Sequence, residues 1–332
     1  MTRLDAPDDA TETVLPEPGA GAGMAPQLKV LEPREVPLGG LRAMTVQRTL
    51  PHRELPTIGA WCFADHFASA TAAMFVDPHP HIGLQTVTWP LNGEVRHRDS
   101  LGSDVVLRPG ELNLMTSGNG IAHSEVSIHG DGGLDAVQLW VALPDGARTG
   151  PASFEHHEDL PHVSLPANAG LDAKAVVFMG VFAGVASPAT TFSPLVGVQV
   201  ELPPGSEVTM PVTPSWEYGL LVVRGDVATS GELASSVALD ELAYLGAGRE
   251  TLTLTAPAGA TVLLLGGEPL HEDLVMWWNF VGRTHEDIEN AWHDWQGRSG
   301  RFGEVAGHGD SRIPAPPLPH VRLLPRRRVK PA

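Results

Sequence analysis

The sequence predicts an all-β protein made of two tandem barrels with a short C-terminal helix. Three observations point that way. Gly (36) and Pro (30) punctuate a chain in which only 18% of residues are charged, a mixture that suits short strands and tight turns. The 332 residues are too many for one small barrel and fit two domains, at roughly 100–200 residues each. The halves also echo each other: Leu91-Asn92-Gly93-Glu94-Val95 resembles Val223-Arg224-Gly225-Asp226-Val227, and Glu111-Leu112-Asn113-Leu114 resembles Glu241-Leu242-Ala243-Tyr244.

Residues 1–27 lack periodicity and carry Pro16, Pro18, Gly19, Gly21 and Gly23, which reads as a disordered leader. The first barrel is placed at 28–145. Leu84 to Trp89 is rich in β-formers and ends near Asn92-Gly93, a strong hairpin signal. Glu94 to Arg98, Val105 to Leu107, Glu111 to Met115, Ile121 to Ile128 and Leu134 to Leu143 follow as strands between Gly- and Pro-rich turns. A connector at 146–185 begins in the Pro- and His-bearing stretch after Pro144. The second barrel is placed at 186–270, with strands including Val198 to Leu202, Val208 to Pro211, Glu217 to Val223 and Thr251 to Leu265. A helical segment at 271–303 starts its helix at Thr284, with Asp287 at N3 as in a capping box. Ile288, Ala291, Trp292 and Trp295 form its apolar stripe. Residues 304–332, rich in Pro and Arg, read as a disordered basic tail.

The formal net charge of −17 argues against non-specific nucleic-acid binding by the body of the molecule. Arg326, Arg327 and Arg328 read as a solvated tail. Cys62 is the single cysteine, excluding an intramolecular disulfide, and its apolar neighbours predict a buried inert thiol. The N-terminus has no apolar signal region, and no run approaches the roughly 18 apolar residues of a membrane span. The expectation is a cytoplasmic monomer.

Fifteen histidines are present. His52, His156, His157, His162 and His320 flank Pro or charged residues and read as exposed loop side chains. His79 and His81 differ. In an extended segment, residues two apart share a face, and Pro80 stiffens the backbone between them. His123 and Glu125 repeat that spacing on a second β-like segment. Two such pairs on neighbouring strands would gather three imidazoles and one carboxylate around one metal. With no thiolate, the set suits Fe(II), Mn, Ni, Cu or Zn better than Mg or Ca.

The run His79-Pro80-His81-Ile82-Gly83-Leu84-Gln85-Thr86-Val87-Thr88 resembles the first signature of the pirin family of bicupins. The likeness continues through Asn92-Gly93-Glu94-Val95, His97-Arg98-Asp99-Ser100, Pro109-Gly110-Glu111, Met115-Thr116-Ser117-Gly118, Gly120-Ile121-Ala122-His123-Ser124-Glu125 and Gln138-Leu139-Trp140-Val141. It includes Phe63-Ala64-Asp65-His66-Phe67 upstream, and Gly266-Gly267-Glu268-Pro269-Leu270 and Arg301-Phe302-Gly303 downstream. The resemblance implies two stacked cupin (jelly-roll-like) barrels, with one iron in the first on His79, His81, His123 and Glu125. At the equivalent hairpin of the second barrel, Thr213-Pro214-Ser215-Trp216-Glu217 has no histidine, so a metal-free barrel is expected. Two departures from the family pattern, Ile82 and Trp89, are expected at the pocket mouth.

Two functions follow from the resemblance. One is quercetin 2,3-dioxygenase-like cleavage of a flavonol with O₂, with Glu125 as general base if it loosens from the metal. The other is a non-enzymatic, iron-dependent regulator that binds a partner protein. His97, Arg98 and Asp99 are read as a turn network in which Asp99 satisfies backbone donors near Gly102. Asp65 and His66 are placed near the barrel mouth, where His66 reads as a satisfied structural histidine at least as readily as a site residue.

Overall fold

The computed structural model describes residues 26–38, 44–69, 74–128, 133–231 and 233–325. The leader's first 25 residues and the three consecutive arginines lie outside them. Runs alternating buried and more exposed positions, such as Thr251–Ala256, form strands because one face of each is apolar. Seven strands form the large sheet of the first barrel, in the order Ser153–His157, Leu112–Thr116, Leu84–Asn92, Leu134–Ala142, Trp61–Ser69, Met44–Leu50 and Arg34–Leu38. Its smaller sheet runs Phe75–His81, Ile121–Ile128, Glu94–Asp99, Asp104–Leu107. The second barrel repeats the plan. Its larger sheet is centred on Glu217–Gly225, Ala260–Gly267, Leu195–Leu202 and Ala173–Phe182, and its smaller on Ser206–Pro211 and Thr251–Ala256.

The barrels pack back to back through their large sheets. Trp61, Val87, Trp89, Leu114 and Leu139 of the first meet Phe178, Leu195, Leu221, Leu263 and Leu265 of the second in one continuous apolar cluster. Each such side chain contributes about 1.5–3 kcal/mol by leaving water. The second barrel is filled by its own aliphatic side chains, Val198, Val200, Leu220, Leu254 and Leu264 among them.

Strand partners differ from the expected boundaries at both ends of the first barrel. Lys29–Leu31, expected there, pairs with Leu242–Gly246 of the second barrel. Within the expected connector, Ser153–His157 pairs with Leu112–Thr116 of the first barrel, and Ala173–Phe182 lies inside the second barrel's large sheet. Alternation marks a strand but does not name its partner; in both cases the strand covers the flank of another barrel strand, pairing backbone groups an edge would leave open. His156 and His157, expected in a loop, lie on the first of these strands, where Asn113 Oδ1 pairs with His156 Nδ1 at 2.8 Å.

Trp89 also departs from expectation. Thr88 points into the first barrel, so alternation turns Trp89 towards the second. There its Nε1–H donates to Gln199 Oε1 at 2.7 Å and its ring stacks on Phe178. Ile82 bridges to Phe280 and packs in the apolar cluster under the C-terminal segment. Neither residue lines the metal-site cavity described below.

The helix spans His285–Gly297, capped by Thr284 with the reciprocal bond from Asp287, and buries Ile288, Ala291 and Trp295. Residues 304–325, expected as part of a disordered tail, lie against it. Trp292 Nε1–H donates to Pro316 O at 2.8 Å and Trp295 Nε1–H to Ile313 O at 2.9 Å. Ile313 N–H donates to Pro78 O at 2.8 Å, while Val305, Ala315 and Leu323 are buried. A Pro-rich extended segment has no periodicity of its own to read; two of its carbonyls are satisfied by indoles that the helix supplies. Among the described residues, no helix is long and apolar enough to cross a membrane.

Candidate metal centre

Phe75–His81 is an edge strand of the four-stranded sheet, which is why it tolerates Pro78 and Pro80, residues without a backbone donor. Its neighbour Ile121–Ile128 sets His123 directly opposite His79. Between His123 and Glu125 the register shifts, so that Glu125 lies opposite Val76: two residues face three, and the extra residue, at Asp77-Pro78, is a bulge in Phe75–His81, of the kind often found beside functional sites. After His81 the chain turns at Gly83, with φ +69°, where a Cβ would lie 2.0 Å from Val281 O. Only glycine fits that turn.

The three imidazoles are buried. Their ligand nitrogens lie within 4.8 Å of one another. Glu125 forms a second such set with His123 and His97. The four sequence-predicted ligands thus share one locality, but the carboxylate is grouped with His123 and not with the full histidine triplet.

The hydrogen-bond partners fix the tautomers. His79 Nδ1 faces Asp77 O at 3.0 Å and His81 Nδ1 faces Asn279 O at 3.1 Å. A carbonyl only accepts, so both Nδ1 atoms carry the proton and both Nε2 atoms are bare. His97 Nε2 lies 3.1 Å from Asp99 Oδ2 and donates to it. His97 Nδ1 then accepts from His123 Nδ1–H at 3.4 Å, which bares His123 Nε2. His81 Nε2 and His123 Nε2 face each other at 3.1 Å. Two lone pairs in that position repel unless a cation lies between them. Two adjacent nitrogens on a metal at about 2.0–2.1 Å stand roughly 3 Å apart.

Electrostatics supports the same conclusion. Burial holds His79 down at about 4 and His81 and His123 well below their ordinary value, so all three are neutral near pH 7. Burial pushes the Glu125 carboxyl up, opposed by His97 and by the Thr88 hydroxyl that donates to Oε1 at 2.9 Å. Burial also acts to raise Asp99, but the bonds from His97 and Ser103 outweigh it and hold the group low. Asp99 Oδ1 accepts from Leu101 N and Ser103 N at 2.9 and 3.1 Å, the turn network expected of it.

The roles of His97 in orienting His123 and of Thr88 and Asn279 were not read from the sequence. His97-x-Asp99 carries the same i, i+2 signature as the ligand pairs, and its register opposite Glu125 and His123 completes it. Thr88 and Asn279 carry no sequence signal. Asn279 is presented by Trp278, which adopts a left-handed φ of +52°.

A cavity of about 490 Å³ opens on the four residues. Phe63 and Trp140, stacked with centroids 4.0 Å apart, form one wall. Ile313–Pro317 and Trp278 form another. Cys62 stays outside it, fully buried, with its thiol pushed up to about 12 by burial. His66 sits between the barrels, paired with Asp135 and Asp240.

Comparison with known proteins agrees with the fold. Residues 43–141 match the sequence model of pirin and residues 197–303 that of the pirin C-terminal cupin domain. A Pseudomonas aeruginosa protein provisionally named a quercetin 2,3-dioxygenase is 42% identical over 86% of this chain and 89% of its own. A Caulobacter vibrioides pirin-like protein is 36% identical over 89% and 98% of the two chains. The crystal structure of a quercetin 2,3-dioxygenase from Acinetobacter baumannii is 36% identical, covers 90% of this chain and 98% of its own, and gives a TM-score of 0.82. With both barrels matched in order, the chain belongs to the pirin family of bicupins.

Proposed function

We propose that the protein is a metal-dependent dioxygenase of aromatic enols, flavonols of the quercetin type being the test substrate. One divalent ion, Fe(II) foremost, would be held by His79, His81, His123 and Glu125. The observation that carries this reading is the convergence of three bare Nε2 atoms beside a carboxylate, at the base of a largely apolar cavity. Its volume of about 490 Å³ lies within the roughly 300–1,000 Å³ usual for small-molecule sites. Two relatives bearing the quercetin dioxygenase name support the substrate class.

The bound ion would supply Lewis acidity and one-electron chemistry towards O₂. The chain's own residues do the rest. Glu125 Oε1 is held by Thr88, leaving Oε2 to take the proton of the enol hydroxyl. Phe63, Trp140 and the proline-rich Ile313–Pro317 segment exclude water and hold a flat ring.

Metal analysis followed by incubation with quercetin, with and without O₂, tests the proposal. The expected result is about one metal per chain and O₂-dependent loss of the flavonol, both abolished in His123→Ala. Full iron loading without turnover, combined with binding to a partner protein that follows the iron's oxidation state, would replace the enzyme with a regulator.

A further inference from the structure

Opposite the imidazoles, on the large sheet of the same barrel, the cavity wall holds a buried charge pair. Arg48 and Asp65 are register partners on neighbouring strands. Arg48 Nε and Nη2 donate to the two Asp65 oxygens at 2.6 Å each, and the guanidinium lies over the Phe63 ring, 4.4 Å from its centroid. Arg48 is 6% and Asp65 1% exposed, and both line the cavity.

Burying an ion pair costs more in lost hydration than apolar residues of the same volume would, so stability alone is a weak reason for one here. Both Asp65 oxygens are occupied by Arg48, whereas Arg48 has donors to spare. Among the described residues, Nη1 has no hydrogen-bond partner. The planar fork is locked in place by Asp65 and Phe63, so the free edge is oriented in advance. The proline-rich wall offers few polar groups beside it: Pro314, Pro316 and Pro317 lack N–H groups, and the carbonyls of Ile313, Ala315 and Pro316 are taken by Trp295, Gln296 and Trp292. The cavity therefore has a polar metal-binding end, an apolar middle and one oriented cationic edge.

We propose that Arg48 is a specificity-determining residue whose free Nη1 edge receives an anionic oxygen of the substrate. The substrate class is then an aromatic acid with two polar ends: one oxygen for the metal centre and a carboxylate or acidic phenol for Arg48. The inference rests on this cavity being the substrate site, and it narrows the flavonols to those with an acidic group remote from the enol.

The test is direct binding to the metal-loaded full-length protein. Two probe pairs are titrated: 3-hydroxyflavone against its 4′-carboxylate, and 2-naphthamide against 2-naphthoate, which lack the flavonol chelate. Removing Arg48 alone would strand a buried carboxylate, so the variant is Arg48→Met with Asp65→Leu. In the parent protein the acid of each pair is expected to bind at least about tenfold more tightly than its neutral partner, as a charge-assisted bond provides. In the double variant the preference falls to within about twofold, while neutral-probe binding and metal content persist. A preference absent from the parent, or surviving in the variant, overturns the role of Arg48. A preference in the naphthoate pair with no binding of either flavone leaves Arg48 in place and removes the flavonol reading.

Discussion

At the residue scale, Glu125 combines two properties that one substitution separates. As a carboxylate it lowers the charge of a bound divalent metal from +2 to +1, which eases loss of an electron, and it can accept a proton from substrate. Glu125→Gln keeps the shape, an oxygen donor and the bond from Thr88. The variant is expected to keep its circular dichroism spectrum, bind metal more weakly and lose flavonol turnover by orders of magnitude. Turnover at the parent rate with metal loaded would make Glu125 a spectator. Asp99 permits a subtler experiment. Its Oδ1 is committed to two backbone N–H groups, so in Asp99→Asn the amide NH₂ must face His97 Nε2. His97 would then carry its proton on Nδ1, His123 would move its own to Nε2, and a ligand lone pair would be lost. Metal affinity, measured by competition with a chelator, is expected to drop about 10–100-fold, the usual cost of losing a partner that orients a ligand, with the fold unchanged. An unchanged affinity would rule out the relay from Asp99 through His97 to His123.

At the scale of elements, the clustering of the four candidate residues was legible because strand period and ligand spacing coincide: His79-x-His81 and His123-x-Glu125 each put two side chains on one face. The helix was legible for the same kind of local reason, a Thr284–Asp287 box before an apolar stripe. The bulge in Phe75–His81, the strand exchange of Lys29–Leu31 and the orientation of Trp89 were not, since each depends on a partner remote in sequence. Neither was the ordered stretch 304–325, whose stability comes from indole donors and not from its own pattern. It yields a prediction opposite to the one its composition suggests. Ending the chain at Gly303 strips two indole N–H groups of acceptors and exposes the apolar cluster that Val305, Ala315 and Leu323 cover. At about 1 kcal/mol per hydrogen bond and 1–3 per apolar side chain, the loss is a few kcal/mol. The melting temperature should fall on the order of 5–10 °C, and tryptophan emission should shift to the red. A truncated protein with the parent's melting temperature and emission would show that this stretch adds nothing to the fold.

At the scale of the whole molecule, the two barrels act as one body because apolar and polar contacts are layered across their shared face. Trp89 and Phe178 supply the stacking. Buried Glu217 of the second barrel accepts from Gly59 N at 2.7 Å and from the Tyr244 hydroxyl at 2.8 Å. His66 completes the set, reaching Asp135 in its own barrel through Nε2 and Asp240 in the other through Nδ1. Burial alone would lower the pKa of His66, but its bonds to Asp135 and Asp240 overcome it and raise the value to about 9. The sign of the pH effect follows. The folded protein holds this proton more tightly than the unfolded chain, whose histidine titrates near 6.5. The stabilisation is complete below about pH 6.5 and is lost as pH rises through 9. A gap of that size corresponds to a few kcal/mol at neutral pH. His66→Asn removes the charge while retaining a polar side chain. Denaturant unfolding of parent and variant from pH 6 to 10 is expected to show the largest stability difference at the acid end, shrinking steadily above pH 7 and smallest beyond 9. A difference constant across that range would mean that His66 serves by packing alone, and that the clamp between the barrels carries no charge.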